Sequence, residues 1–395
     1  MATDYVILRS VAAPKPEFRA RTRGAAPPAD DAAPSVKVEF DTLSPSRAAD
    51  VARTPGVESV APVIPLKLIQ PVPFDAPIDA KADGSTWGVK AVGADTTKFS
   101  GEGAVVAVLD TGIDPTHEAF KGIELVRRNF TTESDDDLHG HGTHCAGTIA
   151  GRKVDGFRIG VAPGVKKLLI GKVLGDGGGG SNTLLEAIQW ALQNGAHVIS
   201  MSLGIDFPGL VAELVGEGLP VPLATSRALE GYRANVQLFE RLAALVRTQG
   251  DFGQPCLIVA AAGNESQLDV NPLFAIAVSP PAVAEGIVSV AAVARGPKGF
   301  TIAPFSNVGA RVSGPGVGVL SAKPGGGMAP MNGTSMATPH VAGVAALWVQ
   351  KLSGANQLTG RLLMDRLAGS GTLTGFAPNF DPAGVGAGMV RAPQQ

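Results

Sequence analysis

Residues 104–114 read AVVAVLDTGID: six small or branched apolar residues, then a carboxylate, then Thr-Gly. No polar residue alternates through Ala104–Leu109, so a strand here must be covered on both faces, as the strands of a parallel sheet are. Three further runs have the same character, KLLIGKVL (Lys167–Leu174), HVISMSL (His197–Leu203) and CLIVAAA (Cys256–Ala262). Helical segments lie between them. TLLEAIQWALQNG starts at Thr183 and stops at Gly195, while Leu229, Tyr232, Val236, Phe239, Leu242 and Val246 trace one face of a longer helix ending before Gly250. Buried strands alternating with helices specify an α/β fold with a doubly wound, mainly parallel sheet. The crevice of such a sheet opens at the carboxyl ends of its strands, and Asp110 falls at one of them.

Composition narrows the functions such a fold could serve. The chain has 395 residues, 17% charged and 45% hydrophobic, with 51 glycines and 30 prolines, which describes a compact protein with many tight turns. A net charge of −2 without a basic cluster gives no expectation of nucleic acid or an anionic membrane as partner. The longest apolar runs, such as VAGVAALWV from Val341, are shorter than the roughly 18 residues that span a bilayer. The first residues, MATDYVILRS, carry Asp4 and Arg9 and no leader pattern, so a cytoplasmic location is expected unless a leader has been removed. Cys145 and Cys256 sit in apolar segments and read as buried free thiols rather than a disulfide.

The first 84 residues differ from the rest, and the chain divides into residues 1–84 and 85–395. Strand-like YVILRS (Tyr5–Ser10) leads into a Pro/Ala/Arg-rich stretch, Ala12–Pro34, too poor in apolar residues to order itself. Then come the alternating VKVEF (Val36–Phe40), a capped helix signal SPSRAADVAR (Ser44–Arg53), Gly56 as a stop, and the strand-like VESVAPVIPLKLI. This is a small α+β unit followed by a linker to about Ser85. Between Gly204 and Leu223, an apolar, Gly/Pro-punctuated segment leaves a strand's carboxyl end and is expected to overhang the crevice as a loop.

Four segments carry chemistry. Asp110 closes a strand, where it serves either a crevice or a turn. In LHGHGTHCAG, residues 138–147, three histidines fall within six positions. The HExxH spacing of a zinc helix is absent. If a helix begins near His141, that residue is in its first turn, Cys145 lies one turn below on the same face, and His144 points elsewhere. GTSMATPHVAGVAALW puts Ser335 at the start of an apolar helix, with Pro339 in the first turn; the serine is a nucleophile near unpaired N–H groups or simply a cap. In AAAGNES, Asn264 follows a strand and Gly263, as an amide facing the crevice or as a turn residue. The combination, in the chain order Asp, His, Ser, is more specific than any single member.

DTGID, HGTHCAGTIAG, AAGN and NGTSMATPHVAG resemble the signature segments of subtilisin-like serine proteases, and the likeness runs from about Trp87 to Ala392. Cys145 is similar to the cysteine of the proteinase K branch. The resemblance implies a subtilisin-like fold, Ser335 as nucleophile, His141 as its base, Asp110 orienting the imidazole, and Asn264 with the Ser335 N–H forming an oxyanion hole. It also implies polypeptide substrates flanked by Gly177 and Gly178 on one side and Ser202, Leu203 and Gly204 on the other. Residues 1–84 would be a reduced prodomain, with Leu68–Pro73 approaching the cleft like a product and the unit acting as the enzyme's own inhibitor. No cofactor is required, and no metal ligand is assigned. Calcium is common in the family, but Gly151–Ile159 offers only Asp155 beside three cations, leaving the acidic run Glu133–Asp137 as a weak site. Of the sequons at Asn129, Asn264 and Asn332, two would put sugar at the active site, which argues for a chain made without N-glycosylation. A silent or strictly self-processing binding protein is the competing reading. An acid-active sedolisin would need Glu for His141 and an acid for Asn264.

Overall fold

The computed structural model describes residues 2–11, 35–73 and 84–394. The stretch Ala12–Pro34 and most of the linker before Ser85 lie outside the described residues.

The amino-terminal unit contains β1 (Thr3–Val11), β2 (Ser35–Leu43), α1 (Pro45–Ala52), β3 (Val57–Pro62) and β4 (Pro65–Leu68). Helix α1 begins where the sequence signals it, with the Ser44 hydroxyl accepting the Arg47 N–H. The antiparallel order is β2-β1-β3. The YVILRS run is the central strand, with both of its edges paired.

The large domain follows with α2 (Trp87–Ala91), β5 (Val105–Asp110), β6 (Glu124–Asn129), α3 (His141–Ala150), the short hairpin β7 (Lys153–Val154) and β8 (Phe157–Arg158), then β9 (Lys167–Lys172), β10 (Gly179–Gly180) and α4 (Ser181–Gln193). Next come β11 (Val198–Met201), β12 (Leu203–Ile205), α5 (Phe207–Gly216), α6 (Val221–Phe252), β13 (Leu257–Ala261) and β14 (Val288–Gly296). The chain closes with β15 (Gly299–Ile302), β16 (Val312–Pro315), β17 (Val319–Ala322), β18 (Met328–Met331), α7 (Thr334–Gly354) and α8 (Gly360–Gly369).

The main sheet runs β15-β14-β13-β11-β5-β9-β6, with β16 also against β14, and every pairing but β14 with β15 is parallel. From β5 the chain goes to the edge strand β6 and returns to β9 on one side, then builds outward through β11, β13 and β14 on the other. That reversal makes the carboxyl end of β5 the switch point, where a crevice opens. Side chains of α3 and α7 fill one face of the sheet with Ile149, Val341 and Leu347. Those of α4 and α6 fill the other with Leu184, Ile188, Phe239 and Leu242. Val6, Leu8, Ala61 and Ile64 of the amino-terminal unit join this second core.

Two expectations need correction. The segment after Gly204 is not a loop: α5 spans Phe207–Gly216. Pro208 falls in its first turn, where a proline starts a helix rather than punctuating a loop, and the Asp206 carboxylate accepts the Gly209 N–H at 3.2 Å. Helix α6 also passes through Gly250 to Phe252, since that glycine lets Pro255 approach closely instead of stopping the turn.

Candidate active site

Strand β5 carries Asp110 to the mouth of the crevice, where its side chain is 2% exposed. Helix α3 starts at His141, which is wholly buried. Its N-cap, Gly140, has no side chain to satisfy the helix's first N–H groups. Asp137 does this instead: one carboxylate oxygen accepts the Gly140 N–H at 2.8 Å and the Thr111 hydroxyl at 2.8 Å. The other accepts the Thr143 N–H at 2.8 Å and its hydroxyl at 2.6 Å. Thr111 in turn accepts the Gly142 N–H at 2.9 Å, so the turn after β5 and the start of α3 are tied together. A methyl group on Gly142 would stand 2.2 Å from the Gly112 carbonyl oxygen, which is why only glycine fits this approach.

His141 Nδ1 is 2.7 Å from Asp110 Oδ1, which also accepts the Thr111 N–H at 2.8 Å. A carboxylate at that distance makes Nδ1 the protonated nitrogen and leaves Nε2 as the basic one. Nε2 is buried and has no hydrogen-bond partner among the described residues. Burial opposes protonation of His141, yet the Asp110 carboxylate holds its pKa well above the ordinary 6.5.

Ser335, wholly buried, is the second residue of α7. Pro339 lies deeper in that helix than the first turn expected for it, and having no N–H it leaves the Ser335 carbonyl, four residues back, without its intrahelical donor. The Ser202 hydroxyl supplies one at 3.2 Å, and the Cys145 thiol another at 3.4 Å. The same thiol is 3.8 Å from His141 Nδ1, so Cys145 sits between the histidine and the serine backbone. Burial pushes this thiol's pKa up, which keeps it neutral. Cys145 and Cys256 are both free and buried. Asn264 follows β13 and is oriented through its Oδ1, which accepts the Thr334 N–H and hydroxyl at 2.8 Å each. That leaves Nδ2 free to donate across the crevice.

The three neighbouring histidines do not form a metal cluster. His144 Nε2 points at the carbonyls of Val319 and Ala329, at 3.0 and 3.1 Å, and burial lowers its pKa to about 3. His139 is exposed, its ring 6.1 Å from that of His141. Among the described residues, the one group of three potential ligand side chains is Asp110, His141 and Cys145, already joined to each other.

The crevice holds a segment of the chain itself. Strand β4 lies antiparallel between β10 and β12, with Leu66 opposite Gly179 on one rim and Lys67 opposite Gly204 on the other. Ser202, Leu203 and Gly204 thus border it directly. On the far rim the pairing residues are Gly179 and Gly180; Gly178 makes a turn against the Leu66 carbonyl, and Gly177 lies clear of it. Beyond β4 the Ile69 N–H donates to the Ser202 carbonyl at 3.3 Å, and the Ser335 hydroxyl donates to the Ile69 carbonyl at 2.9 Å. Asn264 Nδ2 donates to the next carbonyl, that of Gln70, at 2.9 Å. Val72 exchanges two hydrogen bonds with Asn332. The Leu68–Pro73 tail therefore lies in the cleft.

Sequence reasoning missed Asp137 and Thr111. The signal for Asp137 was available: a helix whose cap is glycine needs a carboxylate from nearby, and Asp137 is three residues upstream.

Fold and site together define an α/β protein with a buried Asp, His and Ser at the switch point of a parallel sheet. Comparison with known families then matches residues 101–376, well over half of the chain, to the subtilase family. The chain belongs to that family. It is 36% identical over 286 residues to M-protease of Shouchella clausii (strain KSM-K16), covering 70% of this chain and 63% of that one. It is 36% identical over 279 residues to subtilisin BL of Lederbergia lenta, covering 68% and 86%. Among solved structures, fervidolysin from Fervidobacterium pennivorans, described as a keratinolytic enzyme related to subtilisin, aligns with a TM-score of 0.65 at 22% identity, over 99% of this chain and 60% of that one. This likeness shows the subtilisin fold.

Proposed function

We propose that the protein is a serine endopeptidase that hydrolyses polypeptides through an acyl-enzyme on Ser335. The observation that carries the reading is the 2.7 Å contact between Asp110 and His141 Nδ1, in a crevice where the Ser335 hydroxyl already meets a backbone carbonyl. His141 Nε2 takes the proton from Ser335 as Oγ attacks the carbonyl carbon, then gives it to the departing amine; water repeats the cycle on the ester. Asp110 keeps Nδ1 protonated and stabilises the imidazolium. Asn264 Nδ2 and the Ser335 N–H bind the oxygen on which negative charge develops. A substrate enters as an added strand between Gly179–Gly180 and Ser202–Gly204, where β4 now lies.

The occupied cleft supports a second part of the proposal, that residues 1–84 restrain the enzyme. Nucleophile and oxyanion donor must converge on one carbonyl to cleave it. Here they engage two successive ones, Ile69 and Gln70, so the segment is held as an inhibitor and cut slowly, between Ile69 and Gln70. No cofactor enters this mechanism.

Two measurements test the reading. A fluorophosphonate is expected to label wild-type protein at Ser335 and to leave Ser335→Ala unlabelled. Casein hydrolysis separates a general protease from a self-processing one: labelling without casein cleavage supports the restricted activity, and absence of labelling in full-length and processed protein alike removes the protease reading.

A further inference from the structure

The acidic run Glu133–Asp137 is where this chain gathers the oxygen ligands of a hard cation, and the structure puts one of the chain's own cations there. Lys172, the last residue of β9, pairs with Asp110 in the sheet register and is 4% exposed. Its ammonium donates to the carbonyls of Ser134 at 2.8 Å and Asp136 at 3.0 Å, and lies 3.3 Å from a Glu133 carboxylate oxygen. The second oxygen of Glu133 accepts the Asp176 N–H at 2.7 Å. Two carbonyls and a carboxylate are oxygen ligands of the kind a hard cation takes, and here they surround the chain's own positive charge. With the ammonium at their centre, a metal ion does not fit.

The clamp leads to the catalytic histidine. Asp136, held by Lys172, precedes Asp137, whose carboxylate caps the start of α3 and binds Thr111. His141 is the first residue of that helix, and Thr111 follows Asp110. One buried ammonium therefore secures the loop that sets both ends of the His141–Asp110 contact.

We infer that Lys172 is a positioning residue for His141, its ammonium acting as the internal cation that holds the 133–137 loop. It touches no substrate and acts through Asp137. The kinetic consequence rests on the endopeptidase reading above; the structural one does not.

The test uses full-length protein carrying Lys172→Ala or Lys172→Met, with and without methylammonium or calcium. Readouts are kcat, KM, the thermal midpoint, and the downfield proton resonance of His141 Nδ1–H bonded to Asp110. The expected result is a fall in kcat on the order of 100-fold with KM changed less than about threefold. The Nδ1 resonance weakens in both variants. Methylammonium restores the resonance and kcat in Lys172→Ala, which leaves room for it, but not in Lys172→Met, whose side chain fills the space. The resonance needs no turnover, so it judges the proposal even if the protein proves not to be a protease. A resonance unchanged from wild type in the folded Lys172→Met variant overturns the proposal. So does a Lys172→Ala defect that tracks the thermal midpoint and responds to neither cation.

Discussion

A carboxylate, an imidazole and a hydroxyl are ordinary groups; their surroundings decide what each can do. Burial opposes charge on His141, His144 and His340 alike, but the Asp110 carboxylate raises the pKa of His141 well above the ordinary value, whereas burial lowers that of His144, beside backbone carbonyls, to about 3 and that of His340 to about 4. The two lowered histidines are neutral in the fold and take protons on unfolding. Their contribution to stability is complete above about pH 6.5 and is lost as the pH falls toward 4 and then 3. His141 acts in the opposite sense: pairing with Asp110 adds stability below pH 6.5 that disappears as the pH rises through its raised value. Urea midpoints measured from pH 7 to pH 4 are expected to fall, with the fall shallower in a variant that lacks either His144 or His340. Because the base must be neutral to act, hydrolysis should rise with pH along a limb centred above 6.5. Asn264→Ala should lower kcat by about 100-fold or more with little change in KM, the size known from subtilisin itself for this kind of donor. An equal rise in KM would show that the amide binds substrate rather than the developing oxyanion.

At the scale of elements, the sequence was legible wherever a regular period met a strong local signal. The buried strands, α1 with its Ser44 cap, and α4 lie within a few residues of where pattern and capping put them. The apolar segment after Gly204 misled because Pro208 was read as punctuation, and position in the turn alone decides whether proline breaks or starts a helix. Pro339 carries the converse lesson. Set inside α7, it strips the Ser335 carbonyl of its helical donor and so recruits Ser202 and Cys145. The junction between β5 and α3 is the least forgiving contact of the site. Gly142→Ala should cost about 1–3 kcal/mol in chemical denaturation and reduce kcat, since the added methyl meets backbone that cannot rotate away. A variant as stable and active as wild type would mean that the turn after β5 yields easily.

Across the whole molecule, the amino-terminal unit and the large domain share one core, with Val6, Leu8 and Ile64 packed with residues of α4 and α6. The segment that leaves this unit lies in the cleft as a strand, with Leu66 and Leu68 buried at 3% and 6% exposure. Leu66→Asp should weaken that seat, since a buried charge without a partner costs several kcal/mol. Fluorophosphonate labelling of Ser335 in the full-length variant is then expected to run about tenfold faster or more, RT ln 10 being about 1.4 kcal/mol of lost restraint. Equal rates in variant and wild type would show that β4 does not limit access. In wild-type protein that does cleave itself, mass spectrometry should find a new amino terminus at Gln70; one elsewhere would mean that the segment shifts register before it is cut.

The amino-acid sequence by itself specified the parallel α/β class, through runs buried on both faces that alternate with helices, and it singled out Asp110, His141, Asn264 and Ser335 as candidates, through their places at strand ends and helix starts together with the likeness of their segments to one family. Only the tertiary structure decided what those residues meet. Asp137 reaches the helix across a turn, Lys172 reaches the acidic loop from a neighbouring strand, and Ile69 reaches Ser335 across 266 positions of chain. Periodicity records which face of an element is covered; it carries no information about which distant backbone carbonyl or ammonium does the covering.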